Sequence, residues 1–287
     1  MPELFIEIGS EEIPAGYIEP ALEYLKNELH GFLEKNRIEA GSPKSFATPR
    51  RLVVCIPEVS ACQKDVTETY HGPNVKAAYD AGGKPTKAAM GFARGKGVDV
   101  ENLTVEKTAK GEVVCARVEI KGEDTAKVLN EYLPQLIAGV PFPKKMRWAE
   151  KKISFARPLH WIAALFGGKP LDFSVDGIQC QNVSRGHRFL KPEPFEFNDL
   201  SSYLEQCEKH FLVVDPDKRK KIITEQMNAL AEEVGGTVKE DPDLLHEVAY
   251  LVEYPAALRC DFDSKYLSLP QELLVMTMKR HQRDFPL

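Results

Sequence analysis

Three short segments of the chain carry side chains suited to hold an anion. Guanidinium groups bind phosphate through paired, charge-assisted hydrogen bonds, lysines add point charges, and an aromatic ring can stack on a nucleic-acid base. We therefore interpret these cations, together with one aromatic residue, as candidate binding residues. They are Arg50, Arg51, Lys144, Lys145, Arg147, Trp148, Arg185, His187 and Arg188.

The first two segments also allow a purely structural interpretation. Arg50 and Arg51 directly precede a β-rich run, so they point to opposite faces and one of them can form an ion pair at the edge of the core. Within residues 142–148, Phe142 and Trp148 can fill the core while the cations between them stay in water. The two interpretations are balanced for the arginine pair, and the structural one is slightly favoured for 142–148.

Residues 155–161 and 184–189 share a pattern, with arginine and histidine close to an aromatic residue at a turn. Such a segment can form the rim of an anion site or a buried hydrogen-bond network that fixes a hairpin. Gly186 would allow a positive φ or a close approach of the backbone. We expect a buried network around Arg157 and leave both interpretations open for 184–189.

No arrangement in the chain is typical of a nucleophile, a phosphate loop or a metal centre. The glycines of 91–97 lack both the dinucleotide order and the Gly-Lys-Ser/Thr ending of a phosphate loop. His246 and His281 have no second ligand at metal-binding spacing, and the six cysteines include no Cys-x-x-Cys pair. The sequence therefore predicts no catalytic residue, no metal site and no cofactor in this chain.

Composition predicts a folded protein with a specific anionic partner. The 287 residues are 43% hydrophobic and 28% charged, and the formal net charge of −5 argues against a general nucleic-acid coat. Acidic residues are concentrated in helical stretches, whereas basic residues form short local clusters. No run approaches the roughly 18 apolar residues of a membrane span, and scattered cysteines in apolar runs favour a reducing, cytoplasmic location.

Hydrophobic periodicity predicts helices and strands in a mixed order, which favours an α+β fold with mixed sheets and flanking helices. Two parts are expected to pack as one module: an N-terminal α/β subdomain over 1–140, and a β-rich middle with a helical C-terminal part over 141–287. A hairpin turn is expected at 109–111. Strands are predicted over 4–8, 52–56, 103–107, 112–120, 152–155, 159–166, 171–175, 177–183, 211–214 and 257–262. Helices are predicted over 18–32, 86–94, 123–138, 199–210, 216–234, 242–252 and from 270 to about 278.

Eight motifs, taken in order, resemble those of a known family. They are Phe-Ile-Glu-Ile-Gly-Ser-Glu-Glu-Ile-Pro (5–14), Thr-Pro-Arg-Arg-Leu (48–52), His-Gly-Pro (71–73), Pro-Lys-Lys-Met-Arg-Trp (143–148), Phe-Ala-Arg-Pro-Leu-His (155–160), Arg-Gly-His-Arg-Phe (185–189), Leu-Val-Glu-Tyr-Pro (251–255) and Met-Thr-Met-Lys-x-His-Gln (276–282). The chain resembles the beta subunit of the bacterial, heterotetrameric glycyl-tRNA synthetase over its whole length. Arg280 departs from the pattern, where a smaller residue is expected.

The resemblance implies an N-terminal fragment of a larger subunit, with a fold like the editing-module-like domain of the phenylalanyl-tRNA synthetase beta subunit. It implies that ATP, with magnesium, and glycine bind in the alpha subunit of an alpha2-beta2 heterotetramer. This fragment would then bind or position glycine tRNA and support subunit architecture without catalysis of its own, and its nine candidate residues would contact tRNA or another subunit. Two alternatives stay open: a hydrolytic editing domain that acts on mischarged tRNA, and a purely structural scaffold.

Overall fold

The computed structural model describes residues 1–108 and 111–287. Contacts group them into two compact units, unit 1 with residues 1–61 and 126–287, and unit 2 with residues 62–125. Both units combine helices with sheets, so the predicted α+β class is confirmed. The division at residue 140 and the likeness to the phenylalanine enzyme's module stay predictions.

The strands and helices are short and alternate irregularly along the chain. The strands are β1 (Leu4–Ser10), β2 (Lys44–Thr48), β3 (Arg51–Ile56), β4 (Val66–Asn74), β5 (Thr104–Thr108), β6 (Gly111–Ile120), β7 (Leu159–Phe166), β8 (Lys169–Pro170), β9 (Ser174–Val175), β10 (Ile178–Gln181), β11 (Val183–Arg185) and β12 (Pro194–Glu196). The α-helices are α1 (Ala15–Lys35), α2 (Val75–Ala78), α3 (Lys87–Lys96), α4 (Thr125–Gly139), α5 (Leu200–Lys209), α6 (Pro216–Glu232), α7 (Pro242–Ala249) and α8 (Gln271–Thr277). Two 3₁₀ turns (Val100–Asn102 and Ser264–Ser268) and a π-helical turn (Met278–Gln282) complete the described elements.

Unit 1 is built on a sheet with the strand order β2-β3-β1-β7-β10-β9, in which β8 also pairs with β7. The pairs are antiparallel except β7 with β10, which run parallel. Strand β1 lies between β3 and β7, and all seven of its residues are buried. The register places Gly9 between Arg51 on β3 and Trp161 on β7. This register decides which side chains meet at the end of the sheet.

The two faces of this sheet are covered by different helices, because successive side chains of a strand point to opposite sides. Leu4, Ile6 and Ile8 pack with α1 and α4 in the larger core, whereas Phe5 packs with α5 in the smaller one. The 3.6-residue periodicity of α1 supplies its buried stripe, as the sequence predicts. Each such leucine or isoleucine stabilises the fold by roughly 1.5–3 kcal/mol through burial.

Unit 2 is a three-stranded antiparallel sheet, in the order β4-β6-β5, with α2 and α3 against one face. The predicted hairpin of β5 and β6 is confirmed, while residues 109 and 110 of its turn lie outside the described residues. Its buried core is small and consists mainly of alanines: Ala78, Ala89, Ala93, Leu103, Val114 and Ala116.

Three predicted strands are wrong. Residues 152–155 contribute only an isolated bridge between Phe155 and Met146, and 257–262 contain no strand. Residues 211–214 form no ladder, since single backbone hydrogen bonds link Val213 to Glu253 and Val214 to Ala47. In 152–155 and 211–214 the apolar side chains are buried by packing, which leaves the same short pattern as burial in a sheet, whereas 257–262 is mostly exposed.

Candidate nucleic-acid interface

A buried arginine organises the end of the unit 1 sheet. Arg51 is fully buried. Its Nη1 donates to Glu7 Oε1 at 3.3 Å and to the Arg185 carbonyl at 3.0 Å, and its Nε donates to Glu253 Oε1 at 3.0 Å. Burial disfavours the charge, but the facing carboxylates hold the pKa of Arg51 above its usual range. Of the two interpretations given for the arginine pair, the structural one therefore describes Arg51, which forms buried ion pairs. Its contacts join β1, β3, β11 and the segment after α7.

The turn between β2 and β3 fixes Glu253 in this network. The Thr48 hydroxyl donates to Glu253 Oε1 at 2.5 Å and accepts the backbone N–H of Arg50 at 3.2 Å. Burial opposes ionisation of Glu253, yet Arg51 and Thr48 hold its pKa below the ordinary value. Glu253 is therefore an ionised carboxylate, and it ties the 251–255 motif to the turn that carries both arginines.

Glu7 completes the network on β1. Its Oε1 accepts the hydroxyls of Ser184 and Tyr203, each at 2.9 Å. Burial raises the pKa of Glu7, and Arg51 opposes that shift. Two carboxylates (Glu7, Glu253) and three guanidinium groups (Arg50, Arg51, Arg219) are buried in the described part of unit 1. This imbalance leaves positive charge beneath the surface.

Arg50 carries that unbalanced charge. Its side chain is only 9% exposed, its Nε has no hydrogen-bond partner, and the described residues offer it no ion pair within 4.0 Å. The guanidinium carbon lies 6.0 Å from the ring of Trp161, which Arg51 and Arg185 also approach at 5.3 and 6.0 Å. Burial lowers the pKa of Arg50, and the nearby charge of Glu253 opposes this shift. Arg50 is thus a buried cation without a directly bonded acid among the described residues.

The loop after β11 forms one wall above Arg50. The His187 Nδ1 accepts the backbone N–H groups of Phe189 and Leu190 at 3.3 and 3.2 Å. Burial, together with the nearby arginines, lowers the pKa of His187, so its proton at neutral pH belongs on Nε2. A side chain on Gly186 would lie 1.9 Å from the Lys191 carbonyl oxygen, so glycine allows the loop to close tightly.

These parts enclose a cleft of about 180 Å³. Arg50, His187 and Arg188 supply donors on its lining, and Phe189 and Tyr254 supply aromatic surface. The volume is below the roughly 300 Å³ at which drug-sized pockets begin, so it suits a group as small as a phosphate or a single sugar. The arrangement can hold one anionic group of a larger molecule.

Two acids compete for the cleft's exposed arginine. Arg188 Nη1 lies 3.0 Å from Glu12 Oε1 and 3.6 Å from Glu11 Oε2. Glu11 also lies 2.8 Å from His160 Nε2. Both acids belong to the 5–14 motif, and such surface pairs are worth about 0–1 kcal/mol, so a phosphate can displace them.

The other sequence candidates lie away from this cleft's lining. Lys144, Lys145 and Arg147 are exposed, and Trp148 packs partly against the larger core. Phe142 is buried and meets Phe155 edge-to-face at 4.6 Å. This is the solvated loop that the structural interpretation of 142–148 describes.

The buried network expected around Arg157 is wrong. Arg157 is exposed and, within the part of the chain that the structure describes, donates only to the carbonyl of its neighbour Ala156, at 3.0 Å. The turn that precedes β7 points this side chain into water.

Sequence reasoning missed the acids that hold the arginines. Glu7 is the single acid within an otherwise apolar strand, and Glu253 lies in a motif without any partner nearby in sequence. Trp161 was noted only as an aromatic neighbour. The one sequence signal was Gly9 itself, because a glycine inside a strand marks a close approach of another group. In the structure, a Cβ at this position would lie 1.9 Å from Trp161 Cε2.

A second concave surface is apolar and lies at the C-terminal end of unit 1. This groove of about 590 Å³ is formed by α6, the segment after α7 and the last residues of the chain. Leu258 on its wall is 84% exposed. An apolar surface of this kind is typical of a protein-binding site.

The fold and cleft define an α+β protein with a cationic surface site built on buried ion pairs. A family model described as glycyl-tRNA synthetase beta subunit matches residues 4–287, and the chain belongs to this family. The chain is 47% identical over 283 residues to the glycine–tRNA ligase beta subunit of Syntrophotalea carbinolica. It is 47% identical over 285 residues to that of Geobacter sp. (strain M21) and 43% over 284 residues to that of Syntrophus aciditrophicus.

Each of these matches covers 99% of this chain and 41–42% of the relative. The chain thus spans about two fifths of the length of the curated relatives it matches. Among the residues that the structure describes, no helix combines the length and the apolar character needed to cross a membrane.

Proposed function

We propose that this region of the beta subunit binds glycine tRNA through its phosphates, with Arg50, His187 and Arg188 as the central contacts and Arg185 beside them. The observation that carries the proposal is the buried, unpaired guanidinium of Arg50 at the floor of the cleft. A buried charge without a partner is costly, and a phosphate would supply the missing acceptor.

In this proposal the region assists ATP-dependent glycylation of tRNA in the cytoplasm and does not perform the chemistry. ATP, magnesium and glycine would bind in the alpha subunit of an alpha2-beta2 assembly. The exposed cations Lys144, Lys145 and Arg147 would form a second, weaker contact with the tRNA backbone. Arg51, being fully buried, would act by holding Arg50 and the 185–189 loop in place.

Hydrolytic editing is less well supported by the same contacts. A general base needs a free acceptor within reach of a water. The Nδ1 of His187 already accepts two backbone N–H groups, and Glu253 Oε1 already accepts Thr48 and Arg51. The Oε2 of Glu253 has no partner but is buried, so a water does not reach it. These groups therefore stabilise the structure of the cleft, and their hydrogen bonds leave them poorly suited to accept a proton from water.

The first test measures binding of glycine tRNA and of a non-cognate tRNA by fluorescence anisotropy across a salt series. Phosphate contacts release counterions, so the logarithm of the affinity should fall linearly with the logarithm of the salt concentration. Arg188→Glu and Arg50→Gln should each weaken binding and reduce the slope by about one. Circular dichroism checks that each variant is folded.

Matched variants separate the cleft from the general charge of the surface. Lys169→Glu changes an exposed lysine on β8 and should leave binding unchanged, whereas Lys145→Glu tests the second contact. Glu12→Gln removes the charge of the nearer of the two acids beside Arg188 and should strengthen binding. If Arg188→Glu and Lys169→Glu behave alike, the cleft does not bind tRNA.

The apolar groove favours a second function, in which the region is a scaffold that docks another subunit. We propose the alpha subunit as its occupant, since the relatives are named beta subunits and the groove is lined by exposed leucines. Leu258→Asp should weaken association with purified alpha subunit in sedimentation experiments and leave tRNA binding unchanged. Unchanged association would exclude this groove as the docking surface.

A further inference from the structure

Three metal-binding types of side chain meet on one face of the unit 2 sheet. His71, Glu106 and Cys115 each present one potential ligand atom, and these atoms all lie within 4.8 Å of one another. The Cys115 Sγ is 3.2 Å from the Nδ1 of His71. They come from three different strands, and His71 lies 35 residues before Glu106, so their spacing along the chain gave no sign of a site.

Strand register explains the meeting. Cys115 on the central strand β6 lies directly opposite His71 on β4, so the two side chains share a face. Glu106 on β5 is opposite Val113, two residues before Cys115 on the same strand, and it reaches the same face diagonally. The opposite face of β6 carries the alanine-rich core, so these three side chains lie on the face of the sheet that α2 and α3 do not cover.

The set of donors suits zinc or a similar transition metal better than calcium or magnesium, which prefer oxygen ligands alone. Around a tetrahedral zinc ion, with Zn–S of about 2.3 Å and Zn–N of about 2.0 Å, ligand atoms lie roughly 3.3–3.6 Å apart. The sulfur and the imidazole nitrogen already have nearly this separation. Glu106 would close the remaining distance by a change of side-chain rotamer.

Burial and access also fit an ion that arrives from solvent. Cys115 is fully buried, whereas Glu106 is half-buried and His71 is exposed. The thiolate would therefore be sheltered, while one side of the ion stays open to a water as the fourth ligand. The guanidinium of Arg117, 3.5 Å from Glu106, is the group that a metal would displace.

We propose that His71, Glu106 and Cys115 form a binding site for a divalent transition metal ion of the zinc class. The physical benefit would be structural. Among the residues that the structure describes, the apolar core cluster of unit 2 has six buried members, and four of them are alanines. Domains of this size are marginally stable, and a metal that links three strands supplies the stabilisation a larger core would give.

The competing description is a hydrogen-bonded trio without metal. Burial and the charge of Glu106 raise the pKa of the Cys115 thiol, so a metal-free thiol stays protonated and can donate to His71. This description predicts no metal affinity above that of the exposed cysteines Cys62 and Cys260.

Cobalt(II) titration distinguishes the two, because thiolate bound to cobalt gives a strong near-ultraviolet charge-transfer band. The full 287-residue chain would carry Cys62→Ser and Cys260→Ser, so that adventitious thiols are removed. We expect one equivalent of cobalt with this band, displaced by zinc, and a rise in melting temperature when zinc is added.

Cys115→Ser should abolish the band, and His71→Ala and Glu106→Gln should each weaken cobalt binding about tenfold or more. His30→Ala, which changes an exposed histidine on α1, should bind cobalt like the parent. Loss of the band in a folded Cys115→Ser protein supports the site. Absence of the band in the parent, its survival in Cys115→Ser, or equal weakening by His30→Ala overturns the proposal.

Discussion

Gly9 and Trp161 face each other on neighbouring strands, and the indole ring occupies the space that a side chain on Gly9 would need. A Cβ at residue 9 would lie 1.9 Å from Trp161 Cε2. On the other side of Gly9, Arg51 extends over the same ring at 5.3 Å. The missing side chain therefore makes room for the aromatic platform beneath the cleft.

Gly9→Ala should destabilise unit 1, because the ring cannot move away without disturbing Arg51. Overpacking of this kind costs about 1–3 kcal/mol or more. Gly31→Ala is the matched control: its Cβ meets nothing within 4 Å in α1, so alanine should stabilise the helix by about 0.5–1 kcal/mol. Urea unfolding measures both, and equal effects in one direction would contradict the steric argument.

Arg51→Met should destabilise the fold strongly. Removal of the guanidinium leaves Glu7 and Glu253 buried without their common cation, and breaking a buried pair in this way costs about 3–5 kcal/mol. Arg157→Met, at an exposed position, should change stability by no more than about 0.5 kcal/mol. Denaturant midpoints of the two variants give the comparison, and a mild loss in Arg51→Met would mean that the network is weakly coupled.

His187 should make stability depend on pH in a defined direction. Its pKa in the folded chain is lowered by burial and by Arg51, Arg50 and Arg188, with Glu253 opposing. The unfolded state, with a histidine pKa of about 6.5, therefore binds more protons at mildly acidic pH. The stabilisation is fully present above about pH 6.5 and is lost as the pH falls from there towards the lowered pKa of the folded state.

His187→Asn tests this dependence, because the amide oxygen can accept the same backbone N–H groups without titrating near neutral pH. Its stability should fall less than that of the parent chain between about pH 7 and 5, where a depressed histidine pKa takes effect. His30→Asn, at an exposed position on α1, controls for the removal of a histidine as such. Parallel curves for all three proteins would show that His187 titrates normally.

Hydrophobic periodicity predicted the helices of unit 1 and its strands β1, β3 and β7, whereas β2 and β12 were not predicted. The helices predicted over 18–32 and 216–234 are α1 and α6, and α6 has Asp215 as its N-cap and Pro216 in its first turn. By contrast, β4 was missed because its exposed positions are polar and only one face is covered. A sheet edge of this type lacks the apolar alternation on which the prediction depends.

The candidate site was predictable only in part. Clusters of cations are visible in the sequence, so Arg50, Arg185 and Arg188 could be named in advance. Their acidic partners come from other elements, and only the register of β1 with β3 brings Glu7 beside Arg51. Which arginine is neutralised and which stays unpaired is a property of the tertiary structure.

Asp241 should stabilise the C-terminal part of unit 1 in two separable ways. Its Oδ1 accepts the backbone N–H of Leu244 at 3.0 Å as the N-cap of α7, and its Oδ2 binds Lys279 at 2.8 Å on the π-helical turn. Lys279 and the cap hydrogen bond lower the pKa of Asp241. This stabilisation is present above the unfolded aspartate pKa of about 3.9 and is lost as the pH falls through the lower folded value.

Asp241→Ala removes both contacts and should cost about 1 kcal/mol, the usual value of an N-cap. Asp241→Asn keeps the cap but loses the ion pair, so it should retain most of that stability. Asp243→Ala, in the first turn of the same helix, removes an exposed acid and should change stability by only about 0.3 kcal/mol. Hydrogen exchange across residues 242–249 measures each effect, and if the asparagine variant were as unstable as the alanine one, the ion pair with Lys279 rather than the cap would fix this helix.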